Sequence, residues 1–247
     1  MLKIMAMVSL MLVALTTNGV LFAAPFDAVN NPARSLADRE RDKTSKPNAV
    51  LNLAGIKSGM TVLDLFAGGG YYSELLSYAV GPEGRVISHT NTVYESSTGE
   101  EAASRFKDNR LSNVSRVISE IDKLGLEKAS LDMMFLVLTY HDIYFTADYW
   151  PQVDRDNFFR QIRESLKPGG VLVVIDHSAL ANTGMSAAQA LHRIDEVFAK
   201  QDIESAGFAF DSASDVLRNP DDTRTLSVFD EAIRRKTDRF VYRFIKE

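Results

Sequence analysis

The segment Val62-Leu-Asp-Leu-Phe-Ala-Gly-Gly-Gly-Tyr-Tyr-Ser73 constrains the fold more than any other stretch of the chain. An apolar run carrying one acid, Asp64, enters three consecutive glycines, and an amphipathic helical pattern leaves them. A short apolar run bounded by glycine reads as a buried strand. The glycines permit left-handed backbone and let a ligand approach without interference from a Cβ. The helix that follows offers free N–H groups that favour an anionic group. A strand–loop–helix unit of this kind belongs in an α/β fold, where the helix returns over a parallel sheet. A plain βα turn without a ligand uses glycine in the same way, so function has to come from further motifs.

The rest of the chain alternates strand-like and helical patterns. Strands are expected at 61–66, 85–88, 115–118, 133–138, 171–175, 208–210 and 239–245. Helices are expected at 71–80, 100–109, 155–166, 187–206 and 229–235. Residues 57–247 thus read as one α/β domain, preceded by a helical segment at 25–56 that packs on it. Within that segment, Asp38-Arg-Glu-Arg-Asp-Lys43 reads as a surface helix, and a second helix covers 48–56. The 28 Lys plus Arg against 33 Asp plus Glu leave a net charge of −5, no basis for gripping a phosphate backbone, so a nucleic-acid partner is not expected. The absence of cysteine excludes disulfides, thiolate zinc sites and cysteine nucleophiles.

Residues 1–24 read as a signal peptide. Lys3 precedes an apolar run to Leu15 broken only by Ser9, and the segment closes on Ala23-Ala24-Pro25. Such a run is too short to span a bilayer unaided, which favours export to the periplasm or medium with no stable membrane association after cleavage. A buried N-terminal helix and an uncleaved membrane anchor are the competing readings.

Gly68-x-Gly70-x-x-Ser73 approximates a dinucleotide fingerprint, but the acid required about 20 residues later is missing from Ser88-His-Thr-Asn91. Asp64 through Gly70 instead resembles motif I of the class I S-adenosylmethionine-dependent methyltransferases. Leu131-Asp-Met-Met-Phe-Leu-Val-Leu138 resembles their fourth strand. Leu166-Lys-Pro-Gly-Gly-Val-Leu-Val-Val-Ile175 resembles the helix end, glycine turn and fifth strand, and 239–245 suits their antiparallel last hairpin. More narrowly, several stretches are similar to a family of predicted bacterial methyltransferases that often carry export signals. These include Arg34-Ser-Leu-Ala-Asp-Arg-Glu-Arg-Asp42, Tyr140-His-Asp142, Asp176-His-Ser178, Leu191-His-Arg-Ile-Asp195, Arg218-Asn-Pro220 and Val228-Phe-Asp230.

The resemblance implies a Rossmann-like fold: a mostly parallel seven-stranded sheet, helices on both faces and an antiparallel C-terminal strand. It implies S-adenosylmethionine as cofactor and a small-molecule acceptor. Carried over by position, the cofactor residues are Asp64, Phe66, Gly68, Gly69, Gly70, Tyr71, Thr90, Asn91, Glu120, Ile121 and Thr139. Two departures stand out. Phe66 occupies the place of the loop's first glycine, and strand two ends without an acid, leaving Thr90 or Asn91 to bond a ribose more weakly. A methyltransferase-fold protein that binds another small ligand without methyl transfer is the alternative.

His141, His177 and His192 fall at or beside the carboxyl edge of the expected sheet, where ligands of open α/β folds bind. His141 is the first candidate for a general base, with Asp142 orienting it, and His177 is the second. Histidines with Asp176 around zinc or iron lack a recognised ligand spacing, so no metal is expected. Tyr71, Tyr72, Tyr140, Tyr144 and Phe145 read as core packing or as an aromatic wall for a sulfonium. Arg39 and Arg41 read as solvated charges, or as contacts for an acidic substrate if their helix folds over the pocket.

Overall fold

The computed structural model describes residues 27–247, so the leader expected at 1–24 lies outside the described residues. Among the described residues, no helix is long and apolar enough to cross a membrane. The sheet comprises β1 (Thr61–Leu65), β2 (Arg85–Thr90), β3 (Val114–Ile118), β4 (Leu131–Val137), β5 (Leu166–His177), β6 (Phe208–Ser214) and β7 (Arg239–Lys246). Its order is β3-β2-β1-β4-β5-β7-β6. The first five strands are parallel, and β7 lies antiparallel between β5 and β6. Wound outward from β1 through β3, the chain crosses back to β4, so a crevice opens at the carboxyl ends of β1 and β4.

Strand alternation builds two cores. Leu63, Leu65, Met134, Leu136, Leu172 and Val174 face one side of the sheet. Val62, Met133, Phe135, Val173 and Ile175 face the other. Because both faces are covered, these strands read as continuous apolar runs. The helix α3 (Tyr71–Val80) spans the expected residues and packs Leu75, Leu76, Ala79 and Val80 into the second core.

The N-terminal segment forms α1 (Leu36–Ser45) and α2 (Pro47–Ala54). The first is a surface helix with Leu36, Arg39, Glu40 and Lys43 exposed, and its other face is tied to the domain. Arg34 clasps Asp42 with two bonds of 2.6 and 2.8 Å, and Asp42 also accepts from the Tyr71 hydroxyl at 2.6 Å. Val50, Leu51 and Ala54 of α2 join the second core.

Four expected helices are corrected. The one at 100–109 is α4 (Thr92–Arg105), set early because the Asn91 side chain accepts from the Tyr94 N–H at 2.9 Å. That at 155–166 ends one residue short, as α5 (Arg155–Ser165). The one at 187–206 is broken into α6 (Ala188–Leu191) and α7 (Glu196–Ser205). His192 ends α6 at φ 51°, and Asp195 starts α7 by accepting from Val197. Between them the fully buried Arg193 pairs with Asp222 at 2.9 Å and donates to the carbonyls of Ser178 and Leu226. Residues 229–235 form turns with Phe229 exposed, since only Val228 beside them is buried. The expected helix end and glycine turn before strand five are instead part of β5, which pairs Leu166 with Leu131 and bulges out through Gly169 before rejoining at Val171.

The Arg193–Asp222 pair generates a stability prediction. Removing one member of a buried pair strands the other charge, at a cost of about 3–5 kcal/mol. Arg193→Met should lower the urea midpoint accordingly with an unchanged denaturant slope. A loss below about 1 kcal/mol, the scale of an exposed pair, would show that the pair with Asp222 does not hold the break between α6 and α7 in place.

Candidate active site

The glycine loop turns sharply out of β1. Phe66 adopts φ 56°, a left-handed conformation that glycine takes without cost, so the backbone of the turn survives the substitution. Its ring is held by His89 (5.2 Å between centroids), Tyr94 (5.8 Å) and Trp150 (6.2 Å). His89 is itself buried, which pushes its pKa down to about 4 and keeps it neutral against the Ser119 carbonyl. Gly68 sits at φ 54°, and Gly70 at φ 81° starts α3. At Gly69 the Glu101 carboxyl group closes over the backbone, so near that a Cβ would lie 2.1 Å from its carboxyl carbon and this flexible side chain would have to swing away.

Asp64 points away from solvent and accepts from the Ser73 hydroxyl at 2.6 Å, which fixes the first turn of α3 to β1. Burial outweighs that bond and pushes the Asp64 carboxyl up to about 6.

A cavity of about 430 Å³ opens at the carboxyl ends of β1, β4 and β5, within the ~300–1,000 Å³ usual for ligand sites. Gly68 and Gly69 form one end, and Tyr94, Thr98 and Glu101 of α4 overhang it. Leu138 and Thr139, just past β4, form the floor. The Thr139 hydroxyl is buried and has no hydrogen-bond partner, an arrangement that a ligand would satisfy.

At the other end, a 3-10 turn at Tyr140–Tyr144 presents His141 and Asp142. Asp176, at the end of β5, receives the His141 backbone N–H at 2.7 Å and faces its Nδ1 at 2.8 Å. The His141 Nε2 lies 3.3 Å from Asp142 Oδ1. Burial pushes His141 down, but the Asp176 and Asp142 carboxylates outweigh it and carry its pKa up to about 9. Burial pushes Asp142 up, and His141, His192 and Tyr94 more than reverse it. The Tyr94 hydroxyl donates to Asp142 Oδ2. Burial and then the charge on His141 push His177 well below the ordinary histidine range, while its Nδ1 meets the Thr237 hydroxyl at 2.7 Å. His192, from the break between α6 and α7, sits between Phe145 (4.7 Å, tilted) and Phe229 (4.8 Å, edge-on).

The structure therefore gathers Phe66, Gly68, Gly69, Thr139, His141, Asp142 and His177 around one cavity. It places the other candidates elsewhere. Asp64 is committed to Ser73, and Tyr71 to Asp42. Gly70 lies under Phe106. The Thr90 hydroxyl turns back on the Asn91 carbonyl, and Asn91 caps α4. Glu120 accepts from the Thr92 N–H at 3.3 Å, and Ile121 packs on the core. Among the residues that sequence reasoning left aside, Tyr94, Thr98, Glu101 and Arg105 share one helical face at i, i+4, i+7 and i+11, a polar stripe visible in the sequence. Arg41 also reaches the cavity, its guanidinium 4.0 Å from the Tyr71 ring.

Strand order, glycine loop and carboxyl-edge cavity are those of the class I S-adenosylmethionine-dependent methyltransferases. The chain belongs to the methyltransferase domain family, whose model matches residues 56–214. It is 27% identical over 140 residues to a ubiquinone/menaquinone biosynthesis C-methyltransferase of Pseudomonas paraeruginosa, a match over 56% of this chain and 50% of that protein. The chain thus spans about half the length of the curated relatives it matches. Among solved structures it resembles a SAM-dependent methyltransferase from Aquifex aeolicus, with a TM-score of 0.62 and 21% identity, covering 84% of this chain and 93% of that one. It also resembles Aeropyrum pernix fibrillarin in complex with S-adenosyl-L-methionine, with a TM-score of 0.51 and 14% identity over 80% and 74% of the two chains.

The buried Asp64 carboxyl gives a pH test. An acid with a raised folded-state pKa contributes stability below its unfolded pKa and loses it as pH rises through about 6. Asp64→Asn keeps the shape and removes the charge. The variant should exceed the wild type in stability at pH 7 by up to about 3 kcal/mol, and the gap should close as pH falls from 6 to 4. A difference independent of pH, read from urea midpoints, would mean that Asp64 is not ionised against its burial.

Proposed function

We propose that this protein transfers the methyl group of S-adenosylmethionine to a small-molecule acceptor, and that it does so after export. The observation that carries the reading is the cavity built jointly by Gly68, Gly69 and Thr139, with a buried hydroxyl left to be satisfied there. These residues fit the cofactor. When bound, it supplies an electrophilic methyl group on a sulfonium.

The chain's own residues do the rest. Gly68 and Gly69 admit a ligand close to the backbone, and Glu101 offers the acid that the end of β2 lacks. Phe66, Tyr94 and Trp150 form an apolar wall that excludes water. Methyl transfer depends chiefly on alignment, which a packed wall and a turn pinned by Asp176 provide. His141, carrying a proton at neutral pH, suits orienting an acceptor better than deprotonating one. His177 stays neutral and lines the same cavity, but burial and the charge on His141 that keep it neutral also weaken it as a proton acceptor. Phe145, Tyr149 and Phe229 line the acceptor end and suit a planar, apolar body. The relatives' role in quinone biosynthesis agrees with such an acceptor.

Calorimetry with S-adenosylhomocysteine tests the cofactor assignment. The wild type should bind, and Gly68→Val should lose binding while remaining folded, at a cost of at least ~1–2 kcal/mol for a side chain at φ 54°. Equal binding by both would reduce the loop to a turn. No response to millimolar ligand would favour a methyltransferase-fold protein that takes another small molecule.

Export rests on Lys3 and the apolar run to Leu15. Fractionation of the native host with N-terminal sequencing should find a chain outside the cytosol beginning near Pro25. A cytosolic chain beginning at Met1 would overturn it.

A further inference from the structure

We propose that His141, Asp142 and His192 form a binding site for one divalent ion of the Zn²⁺ type at the acceptor end of the cavity. The site deepens the methyltransferase reading, on which its role but not its existence rests. One nitrogen of each histidine and one oxygen of Asp142 lie within 4.8 Å of one another. Asp142 Oδ1 is 3.3 Å from His141 Nε2 and 3.5 Å from His192 Nδ1. Bonds of ~2.0–2.1 Å to zinc hold tetrahedral ligands roughly 3.3 Å apart, so these contacts already have the span of a coordination shell. Two imidazoles and one carboxylate are a recurrent donor set for a borderline divalent ion with an open position.

The surroundings are those of a metal site. Asp176 Oδ1, 2.8 Å from His141 Nδ1, keeps a proton on that nitrogen, so an ion binding at Nε2 displaces only the proton that His141 carries there in its absence. Tyr94 holds the second oxygen of Asp142, which aims Oδ1 at the two histidines. His192 is clamped between Phe145 and Phe229 and kept at φ 51°, a conformation that packing has to maintain. The ligands come from two separated segments, the turn after β4 and the break between α6 and α7. An ion would therefore tie together the two walls of the acceptor end. All three residues line the cavity, which supplies an entry path and leaves the open position facing the acceptor. An oxygen or nitrogen of the acceptor bound there would be polarised beside the transferred methyl.

The test uses the metal-stripped full chain titrated with Zn²⁺ by calorimetry, with bound metal counted by elemental analysis. One equivalent should bind. His192→Ala and Asp142→Asn should each weaken binding about 100-fold or more, and Asp176→Asn should weaken it by about 10–100-fold, the usual cost of losing a partner behind a ligand. Co²⁺ in place of Zn²⁺ should give the visible bands of a low-coordinate N/O site, and His192→Ala should abolish them. His192 stands at the edge of the site with its side chain 20% exposed, so this variant should keep the wild-type circular dichroism and melting transition even if Asp142→Asn does not. Stoichiometric binding that survives His192→Ala unchanged, or no binding by the wild type, overturns the proposal. Parallel titrations with S-adenosylhomocysteine separate the two readings. Cofactor binding without zinc sinks the metal site alone, and zinc binding without the cofactor sinks the methyltransferase reading alone.

Discussion

The cavity depends on one guanidinium. Arg105, at the end of α4, donates to Asp38 of α1 at 2.6 Å and to the Gly69 carbonyl at 2.6 Å, and it pairs with Glu74 of α3. Four elements thus converge on a side chain that is 8% exposed. Arg110 adds a second cation to Glu74 at 2.7 Å. Such buried pairs contribute little net stability compared with apolar packing, because both partners lose their hydration. Their value lies in geometry: a fork with fixed donors accepts few arrangements. Arg105 fixes how far α4 stands from the glycine loop, and with it the height of the cavity. The charge-rich Arg34–Asp42 stretch, which reads from sequence as part of a surface helix, is therefore also the outer half of the site's scaffold.

Legibility in the sequence follows the range of the interactions involved. β1, β4 and α3 were readable because apolar periodicity alone decides them, and their neighbours in the sheet add nothing contradictory. α4 was misplaced because its start depends on one capping amide, Asn91, before a helix with few apolar residues. The break at His192 was invisible for a different reason. Residues 187–206 carry helical periodicity throughout, but burying Arg193 against Asp222, 29 positions away, requires a non-helical step. Local propensity loses to a buried ion pair there.

The site divides along the same line. The glycine loop and the histidines after β4 and β5 were readable because motif and strand end coincide. The expected ribose and adenine contacts at Thr90, Asn91, Glu120 and Ile121 are carried over by position, and these side chains make capping and packing contacts within the chain. Glu101 of α4 lines the cavity instead, an acid that the stripe beginning at Tyr94 makes visible in the sequence. Asp176 holds both the backbone and the ring of His141, yet in sequence it sits next to His177 and 35 residues from the histidine it serves.

The two ends of the cavity are consequently set by different strands. The glycine end hangs from β1, and the histidine end hangs from β4 and β5. Adjacent parallel strands hold these ends at a fixed spacing, with Leu65 paired to Leu136 and Val137 to Ile175. A displacement at a methyl group tolerates little misalignment of donor and acceptor, so a rigid ladder between the two half-sites suits the proposed reaction better than loops alone would. Outside the ladder lie the turn carrying His141, the break carrying His192, and the exposed aromatic rings of Tyr149 and Phe229 at the mouth. Under the proposed reaction, acceptor choice would belong to those segments. The strands beneath them set only the distance across which transfer occurs.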